Sequence, residues 1–534
     1  MPARLVLSFI LASFAIAAAA AKDPAAECQA RKLALTGKYA LCRLQARATA
    51  IRKDAPADLA RCEASLEKKH ARIERKFGDA CPRLGDLAVI RAEVARLDGD
   101  TAAGTKGELV CSNDLDRLIT DPAVRRPAPS SATLVGSGLV EVHDGVYMAP
   151  GFGNTFLVTT AEGNVVIDTS LSLFAPSHHE RLRALDDGPV RWIILTHAHE
   201  DHVGGIDLWR EDGTRILAQR EHVEFLHYSE RLAPMLLVRN LSQFRQLLGL
   251  PVPPYAAPDR PVENHGADIP ATDLFDRFCE FRLGGLTFQI VHTPGETYDH
   301  LTVWIPEYGI AFTGDNYYGS FPNMYTLRGT RPRWALDYVQ SIDRVLSWLP
   351  DIVAPSHTGP FYGRAMLQET IGRYRDALLF VHDATVRGMN AGKDVFTLMH
   401  EIVLPPHLDV GEGYGAVAWS VRGIYEGYVG WFDANPATMY AAPPTGIYPD
   451  LVTLAGGPDP VVTQAAALLA ADDPVGALRM TEAALSVDPE NLAALETRLA
   501  ALQALRAATA NINESGWLVT AIEGVEARIA ELAP

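Results

Sequence analysis

The segment that decides the fold is Trp192-Ile-Ile-Leu-Thr-His-Ala-His-Glu-Asp-His-Val-Gly-Gly205, where an apolar run leads directly into a polar cluster. The apolar run is typical of a buried β-strand. The polar part holds four possible metal ligands within six residues: His197, His199, Asp201 and His202. Imidazole and carboxylate together suit zinc, and this density suits two ions. A solvated polar loop is the alternative, but three histidines directly after a buried strand make it a poor explanation. The two terminal glycines permit a turn and a close approach to the next helix.

The composition limits the classes of protein to which the chain can belong. It has 534 residues, of which 48% are hydrophobic, and its formal net charge is −17. The apolar content excludes a disordered chain, and the net negative charge argues against a nucleic-acid partner. The length predicts two or three domains.

The N-terminus reads as a secretory signal peptide over residues 1–21. Arg4 precedes an apolar run, which ends in small residues before Lys22. A membrane anchor is the alternative, but the run is short for a span. We therefore expect a periplasmic or secreted protein without a membrane span.

Residues 22–100 are predicted to form a helical hairpin that carries four of the six cysteines. Two antiparallel helices on either side of Pro56 favour the nested disulfide pairing Cys28–Cys81 and Cys42–Cys62, with the sequential pairing as an alternative. A metal site is a weaker alternative, because the segment has no paired Cys-x-x-Cys spacing. The remaining pair, Cys111 and Cys279, is left open between a bridge and two free thiols. Residues 101–135 are rich in Gly, Pro, Ser and Thr and are predicted to be a linker.

The motif His197-x-His-x-Asp-His202 resembles the signature of the metallo-β-lactamase superfamily. The resemblance implies an α/β fold, the αβ/βα sandwich, over residues 136–365. Three later segments, each after a strand-like run, match the family's remaining ligand positions. They are Pro294-Gly-Glu296, Thr313-Gly-Asp315 and Ser356-His357.

The resemblance implies a site with two zinc ions. His197, His199 and Glu296 would bind the first zinc ion. Asp201, His202 and His357 would bind the second. Asp315 would bridge the two ions, so Asp201 and Asp315 are the carboxylates expected to serve catalysis, through a metal-bound hydroxide. Asp168 would orient a ligand histidine from behind.

Further motifs resemble the alkylsulfatase branch of this superfamily, which hydrolyses alkyl sulfate esters. They are Glu296 in place of a third histidine, Asn323-Met-Tyr-Thr-Leu-Arg-Gly329, Leu404-Pro-Pro406 and Arg422 to Pro436 with its Gly-Trp-Phe-Asp run. The resemblance implies that Arg328 binds sulfate through its planar set of donors, with Asn323, Thr326 and His300 as further substrate-binding residues. The branch usually has glutamate where this chain has Asp315 and His300.

Residues 366–534 are predicted to be helical. The Ala and Leu spacing after Asp473-Pro474 and Asp488-Pro489 resembles a tetratricopeptide-type hairpin, with each Asp-Pro pair opening a helix. In the alkylsulfatase branch this region is a dimerisation domain, which implies a homodimer. The lone histidines His178, His222 and His382 are expected to be surface residues or satisfied core residues.

Three functional hypotheses follow. The first is a secreted dinuclear zinc hydrolase that converts alkyl or aryl sulfate esters to alcohol and sulfate. The second is the same scaffold acting on another ester or on a β-lactam. The third is a non-catalytic zinc-containing binding protein, against which the complete set of ligand positions argues.

Overall fold

The computed structural model describes residues 24–52, 58–78, 108–135, 138–255 and 271–533, together with positions 81, 87, 90 and 94. The predicted signal peptide and the turn that contains Pro56 lie outside the described residues. The chain divides into two compact units. Residues up to Ser112 and the segment Cys279–Thr287 belong to the first unit, and Asn113–Phe278 and Phe288–Pro534 belong to the second.

The first unit contains the predicted helical hairpin. Helix α1 (Pro24–Arg52) packs against helix α2 (Ala60–Phe77), with Leu35, Tyr39 and Leu66 buried between them. Disulfides join Cys28 to Cys81 and Cys42 to Cys62, which confirms the nested pairing.

The open question about the remaining cysteines is resolved in favour of a bridge. Strand β1 (Val110–Ser112) lies beside strand β10 (Phe278–Leu283), and a disulfide joins Cys111 to Cys279. Cys279 is fully buried.

The second unit is built on two sheets whose strands, like the helices below, are numbered in chain order. The first sheet runs in the order β2 to β9, with antiparallel pairing up to β6 and parallel pairing after it. Its strands are β2 Thr133–Val135, β3 Leu139–His143, β4 Val146–Ala149, β5 Thr155–Val158, β6 Asn164–Ile167, β7 Val190–Ile194, β8 Arg215–Gln219 and β9 Asp273–Phe275.

The second sheet runs in the order β11 to β15 within this unit, and only β13 and β14 pair in parallel. Its strands are β11 Leu286–His292, β12 Leu301–Ile305, β13 Ile310–Gly314, β14 Ile352–Pro355 and β15 Phe361–Tyr362. The sheets contact each other face to face, as the edge-on packing of Phe156 against Phe312 at 5.0 Å shows. The strands that carry these two rings, β5 and β13, are therefore buried on both faces, and their sequences are largely apolar.

Helices connect or follow the strands of both sheets. They are α3 Ala175–Arg183, α4 Glu200–Val203, α5 Ile206–Trp209, α6 His222–Arg231, α7 Ala233–Gln243, α8 Arg245–Leu248, α9 Ala335–Ser347 and α10 Arg364–Asn390. On the first sheet Leu182 and Trp209 pack over Val166 and Ile193, and on the second sheet α9 and α10 cover Trp304. The predicted αβ/βα sandwich is confirmed.

Within the second unit, the structure differs from the prediction that residues 101–135 form a linker. Residues 101–107 lie outside the described residues, but the part after residue 112 is tied down. The Arg125 guanidinium donates to the carbonyls of Trp348 and Leu349 just after α9 and forms an ion pair with Asp351 at 2.8 Å. An arginine in this position satisfies carbonyl groups that a helix end leaves without partners. Gly, Pro and Ser therefore mark irregular backbone here, not a free linker.

The C-terminal region is helical, as predicted. Its helices are α11 Val395–Glu401, α12 Val417–Val429, α13 Tyr448–Leu454, α14 Pro458–Ala470, α15 Pro474–Leu485, α16 Leu492–Ala508 and α17 Ile512–Leu532. Short 3-10 turns connect some elements, at Leu115–Arg117, Pro122–Val124, Pro406–Leu408, Pro436–Met439 and Pro444–Ile447.

Two details differ from the sequence prediction. Asp473 caps α15 as expected, but α16 begins at Leu492 with Asn491 as its cap, so Asp488-Pro489 precedes that helix and does not open it. Helix α10 packs through Leu367, Tyr374 and Leu378 into the core of the sandwich, so the packing shows no break at the predicted boundary after residue 365. Among the helices of the described ranges, none combines the length and the apolar character needed to cross a bilayer.

We predict that the Cys111–Cys279 bridge stabilises the fold, because it closes a separation of 168 residues. Replacing both cysteines by serine should lower the free energy of unfolding by about 2–4 kcal/mol. Calorimetric melting of the oxidised protein measures the change. The Cys42→Ser/Cys62→Ser variant, whose bridge spans 20 residues, is the control and should lose less. Equal melting temperatures for wild type and the Cys111→Ser/Cys279→Ser variant would contradict this account.

Candidate metal centre

The polar cluster of the central motif lies in the loop between β7 and α4. The Nε2 atom of His197 lies 2.8 Å from Nδ1 of His199, and both rings are buried. His202 follows on the first turn of α4. The turn is tight because of the two glycines: a Cβ atom on Gly204 would lie 2.9 Å from the carbonyl oxygen of Ser170, and one on Gly205 would lie 2.6 Å from Ala175. Only glycine fits these two positions.

Asp315, directly after β13, lies at the centre of the site. Its Oδ2 atom is 3.0 Å from Nε2 of His357, 3.5 Å from Nε2 of His202 and 3.7 Å from Nε2 of His197. Asp201 Oδ2 lies 3.3 Å from the same nitrogen of His357. The ligand atoms form two groups that share Asp315, and within each group all atoms lie within 4.8 Å of one another. One group is His197, His199 and Asp315, and the other is Asp201, His202, Asp315 and His357.

The cluster has the chemistry of a cation site. Burial lowers the pKa of His197 and of His199 well below the ordinary value. Burial also acts against the charge on His357, but the carboxylates of Asp315 and Asp201 prevail and raise the pKa of that ring to about 10. The carboxylates therefore retain protons on neighbouring imidazoles in the absence of another positive charge. A divalent cation would replace those protons, so the donor set fits a metal.

Unpaired buried atoms support the same conclusion. His202 Nε2 and Asp315 Oδ1 are buried and have no hydrogen-bond partner among the described residues. Leaving such atoms unpaired in the interior is unfavourable unless a ligand is bound there.

Asp168 lies behind His202. It accepts a hydrogen bond from Nδ1 of His202 at 2.7 Å and two more from the backbone and hydroxyl of Thr196 at 2.8 and 2.7 Å. Its φ is 55°, and the side chain is fully buried. The contact places the imidazole proton on Nδ1 and leaves the Nε2 lone pair facing the cluster.

Glu296 lies at the edge of the cluster, outside the two groups. Its Oε1 atom is 3.9 Å from Nδ1 of His199. Its Oε2 atom accepts hydrogen bonds from Tyr318 and from Arg333, both at 2.6 Å. Burial raises the pKa of Glu296, and the Arg333 guanidinium opposes that rise. Oε2 is thus held by Tyr318 and Arg333, while Oε1 faces His199.

Arg333 and Tyr318 are site residues that the sequence reasoning missed. Arg333 is buried and also donates to the carbonyl oxygen of Asn323 at 2.7 Å. The signal that could have found it is indirect: a buried glutamate needs a cationic partner, and Arg333 lies close in sequence to the predicted sulfate-binding residues.

The structure brings Arg328 to the cluster: its Nη2 atom lies 3.1 Å from Nε2 of His199. Asn323 is buried nearby, and its amide has no hydrogen-bond partner among the described residues. The hydroxyl of Thr326 pairs instead with the side chain of Gln243, at 3.1 and 3.2 Å. Thr326 therefore supports the loop and does not point a free donor at a ligand.

His300 is not placed to contact a substrate, contrary to the sequence prediction. Its ring is fully buried behind the cluster, where Nε2 accepts a hydrogen bond from the backbone N–H of Asp315 at 3.1 Å and Nδ1 faces the Thr293 hydroxyl at 3.3 Å. His300 thus holds the backbone of Asp315 in place. The three lone histidines are core residues: His178 contacts Thr155, His222 contacts Asp299 through Nδ1, and His382 contacts Tyr428. The Nε2 atom of His222 has no hydrogen-bond partner among the described residues.

Aromatic rings line the surroundings of the cluster. Phe152 packs edge-on against His357 with ring centres 5.9 Å apart, and Phe225 packs against His199 at 5.3 Å. Tyr414 packs against Tyr318 at 5.2 Å. A charged centre between apolar walls suits a ligand with an anionic group and an organic group.

Comparison with known proteins shows two family matches. The metallo-beta-lactamase superfamily model matches residues 148–357, and the alkyl sulfatase dimerisation model matches residues 396–527.

Individual relatives agree with the family matches. A linear primary-alkylsulfatase from a Pseudomonas species is 30% identical over 389 residues, covering 69% of this chain and 73% of that protein. An alkyl/aryl-sulfatase of Saccharomyces cerevisiae is 27% identical over 371 residues. The match covers 65% of this chain and 56% of the yeast protein. The solved structure of a stereoselective inverting sec-alkylsulfatase from Pseudomonas sp. has a TM-score of 0.66 at 19% identity, covering 82% of this chain and 77% of that one, and so shares the fold.

We predict that Arg333 stabilises the fold mainly by compensating the buried charge of Glu296. The Arg333→Met variant should lose about 3–5 kcal/mol of unfolding free energy, because it leaves a carboxylate unpaired in the interior. Urea unfolding measures the loss. Arg331→Met is the matched control, since Arg331 pairs with the half-exposed Glu224 and should lose less than about 1 kcal/mol.

The double variant Glu296→Gln/Arg333→Met tests the cause. It removes the charge together with its partner and should recover part of the lost stability. Equal losses in the single and double variants would contradict the pairing explanation.

Proposed function

This chain belongs to the alkylsulfatase family of the metallo-β-lactamase superfamily, and on that basis we propose that it hydrolyses alkyl or aryl sulfate esters to alcohol and sulfate. The observation that carries the proposal is the position of Arg328. Its guanidinium lies 3.1 Å from His199 at the metal cluster, and its partners there are neutral, namely Asn240 and His199. Since no carboxylate of the described residues pairs with it, this guanidinium is available to bind an anionic group through two parallel hydrogen bonds.

The proposed cofactor is a pair of zinc ions. His197, His199 and Glu296 would hold one ion, Asp201, His202 and His357 the other, and Asp315 would contact both. When bound, two zinc ions would supply an activated water molecule at neutral pH and would polarise the sulfate group.

The protein's own residues would prepare this chemistry in three ways. Asp168 holds the His202 ring in the orientation that ligation needs. Arg333 and Tyr318 hold one oxygen of Glu296, so that its other oxygen faces the cluster. Arg328 would bind and orient the sulfate, and the apolar rings at Phe152 and Phe225 would exclude water and contact the organic group.

A second candidate function is hydrolysis of another ester or of a β-lactam on the same scaffold. It is favoured by Asp315, which stands where sulfatases of this family usually have glutamate. Aspartate has a shorter side chain than glutamate and is the residue that ordinary metallohydrolases of this superfamily have at that position.

We further propose that the protein works in the periplasm or outside the cell. The three disulfides that join all six cysteines support an oxidising compartment, and the leader-like residues 1–21 agree with export.

The proposed activity can be tested directly. The purified protein should release sulfate from alkyl or aryl sulfates, lose this activity in a chelator, and regain it with zinc, because two ions are required. Elemental analysis should find about two zinc ions per chain. The panel also includes a phosphoester and a β-lactam. Turnover of the β-lactam without sulfate release would replace the proposed function with the second candidate.

The role of Arg328 is tested in the same assay. Arg328→Ala should lower kcat/KM for the sulfate ester by about 10²–10³-fold, the loss expected when a charged contact to the reacting group is removed. Its zinc content should not change, since Arg328 is not a ligand. Arg331→Ala, three residues away in the same segment and paired with Glu224, is the control and should keep the wild-type value. A loss of zinc in Arg328→Ala would count against a role in substrate binding.

We also propose that the protein is a homodimer whose contact involves the segment from α12 to the end of α13. Large apolar side chains there are exposed: Trp431 by 76%, Tyr440 by 71% and Leu454 by 84%. The segment lies inside the region matched by the dimerisation family model. Such a concentration of exposed apolar side chains marks a surface that associates.

The variant Trp431→Asp/Leu454→Asp should therefore be monomeric at micromolar concentration, while the wild type sediments as a dimer in analytical ultracentrifugation. Leu134→Asp is the matched control: Leu134 is 80% exposed but lies on β2, outside this segment, and the variant should stay dimeric. A monomeric wild-type protein would refute the assembly.

A further inference from the structure

Helix α17, near the C-terminus, lies against the elements that hold the anion-binding side chains. We propose that α17 positions the segment Thr326–Arg328 through Gln243 of α7, so that the helical region sets the substrate pocket as well as the proposed dimer. Gln243 and Gly516 are the positioning residues in this proposal. The inference rests on the proposed function for the meaning of the pocket, but its structural part can be tested without a substrate.

Gln243 fixes the segment directly. Its Oε1 atom accepts a hydrogen bond from the backbone N–H of Arg328 at 2.8 Å, and its amide donates to the Thr326 hydroxyl at 3.1 Å. The Gln243 side chain is fully buried. A buried amide with both ends paired is held in one orientation, so the segment it contacts is held as well.

Two further residues of α7 also contact the Thr326–Arg328 segment. Arg239 donates to the carbonyl oxygens of Leu327 and Arg328, both at 2.5 Å. Asn240 Oδ1 lies 3.5 Å from Nη1 of Arg328. One face of α7 thus contacts both the backbone and the guanidinium of the proposed sulfate-binding arginine.

Helix α17 packs closely on the same part of α7. Gly516 lies against the backbone of Gln243, where a Cβ atom would overlap its carbonyl oxygen and would approach the Ser242 carbonyl oxygen to 2.8 Å. The Arg239 guanidinium lies over the Trp517 ring, 5.2 Å from its centre. The position of α7 is therefore determined by contact with α17, and glycine is required at residue 516.

The beginning of α17 reaches the opposite side of the site. The Asn511 and Asn513 amides donate to the carbonyl oxygen of Tyr414 at 3.0 and 2.8 Å. The Tyr414 ring packs on Tyr318, which donates to Glu296. The same helix therefore supports the residues on both sides of the cluster.

The proposal predicts that substrate binding and metal binding respond differently when this segment is loosened. Loosening the Thr326–Arg328 segment should weaken binding of the anionic group, while the metal-facing side chains remain in place. Loss of one buried hydrogen bond corresponds to about a tenfold change in an equilibrium constant. A variant that loosens the Thr326–Arg328 segment should therefore raise KM for the sulfate ester tenfold, with little change in zinc content.

The experiment uses the full-length, zinc-loaded protein and hydrogen–deuterium exchange of peptides covering residues 323–333. In Gln243→Leu the Arg328 amide should lose at least tenfold protection, because its acceptor is gone. Gln243→Glu retains an acceptor and should retain the protection. Gly516→Ala changes no residue in contact with the pocket, yet it should also lower the protection of the Arg328 amide.

Gly524→Ala is the matched control on the same helix, since a Cβ atom there meets nothing within 4 Å. It should leave exchange and KM as in the wild type. Unchanged protection of the Arg328 amide in a folded Gly516→Ala protein would overturn the inference. If the wild type hydrolyses no sulfate ester, the proposed function fails, and the exchange result still decides whether α17 positions the segment.

Discussion

The constraint on which the structure depends is the burial of several carboxylates and imidazoles within one small volume. Asp315 Oδ2 lies within 3.7 Å of nitrogens from His357, His202 and His197. Removing such groups from water is unfavourable unless each charge is compensated nearby. The candidate ligands His197, Asp315 and His357 follow β7, β13 and β14. Those strands are buried apart from Arg191 of β7, so the sandwich supplies a rigid frame at the edge where they end.

Compensation extends outward through a second set of buried polar groups. Asp168 fixes His202, Arg333 and Tyr318 fix Glu296, and His300 fixes the backbone of Asp315. Each contact uses the atom that does not face the cluster and leaves the facing atom available. This is the arrangement that preorganises a metal site, since the ligands need not rotate when a cation binds.

The arginines at the cluster bear on how an acidic protein would bind the anionic substrate that we propose. The chain carries a formal net charge of −17, but two arginines, Arg328 and Arg333, lie at the cluster. Arg328 lies at the cluster with no carboxylate partner among the described residues, whereas Arg333 is neutralised by Glu296. Local charge, not net charge, determines the potential at a site of this size. The contacts of α17 with α7 make the placement of Arg328 a property of the helical region as well as of the sandwich.

The sequence by itself determined the features that depend on local pattern. The motif from His197 to His202, the apolar strand before it, the nested hairpin disulfides and the helical C-terminus are all readable because period, spacing and composition reflect local structure. The tertiary structure alone decided the roles of residues distant in sequence. Arg333 as the partner of Glu296, His300 behind Asp315, Gln243 beneath Arg328, and the packed state of the segment around Arg125 carry no local signal. Their positions follow from buried charges and amides finding partners across 15 to 226 residues of chain, and only the folded chain shows which partner lies within reach.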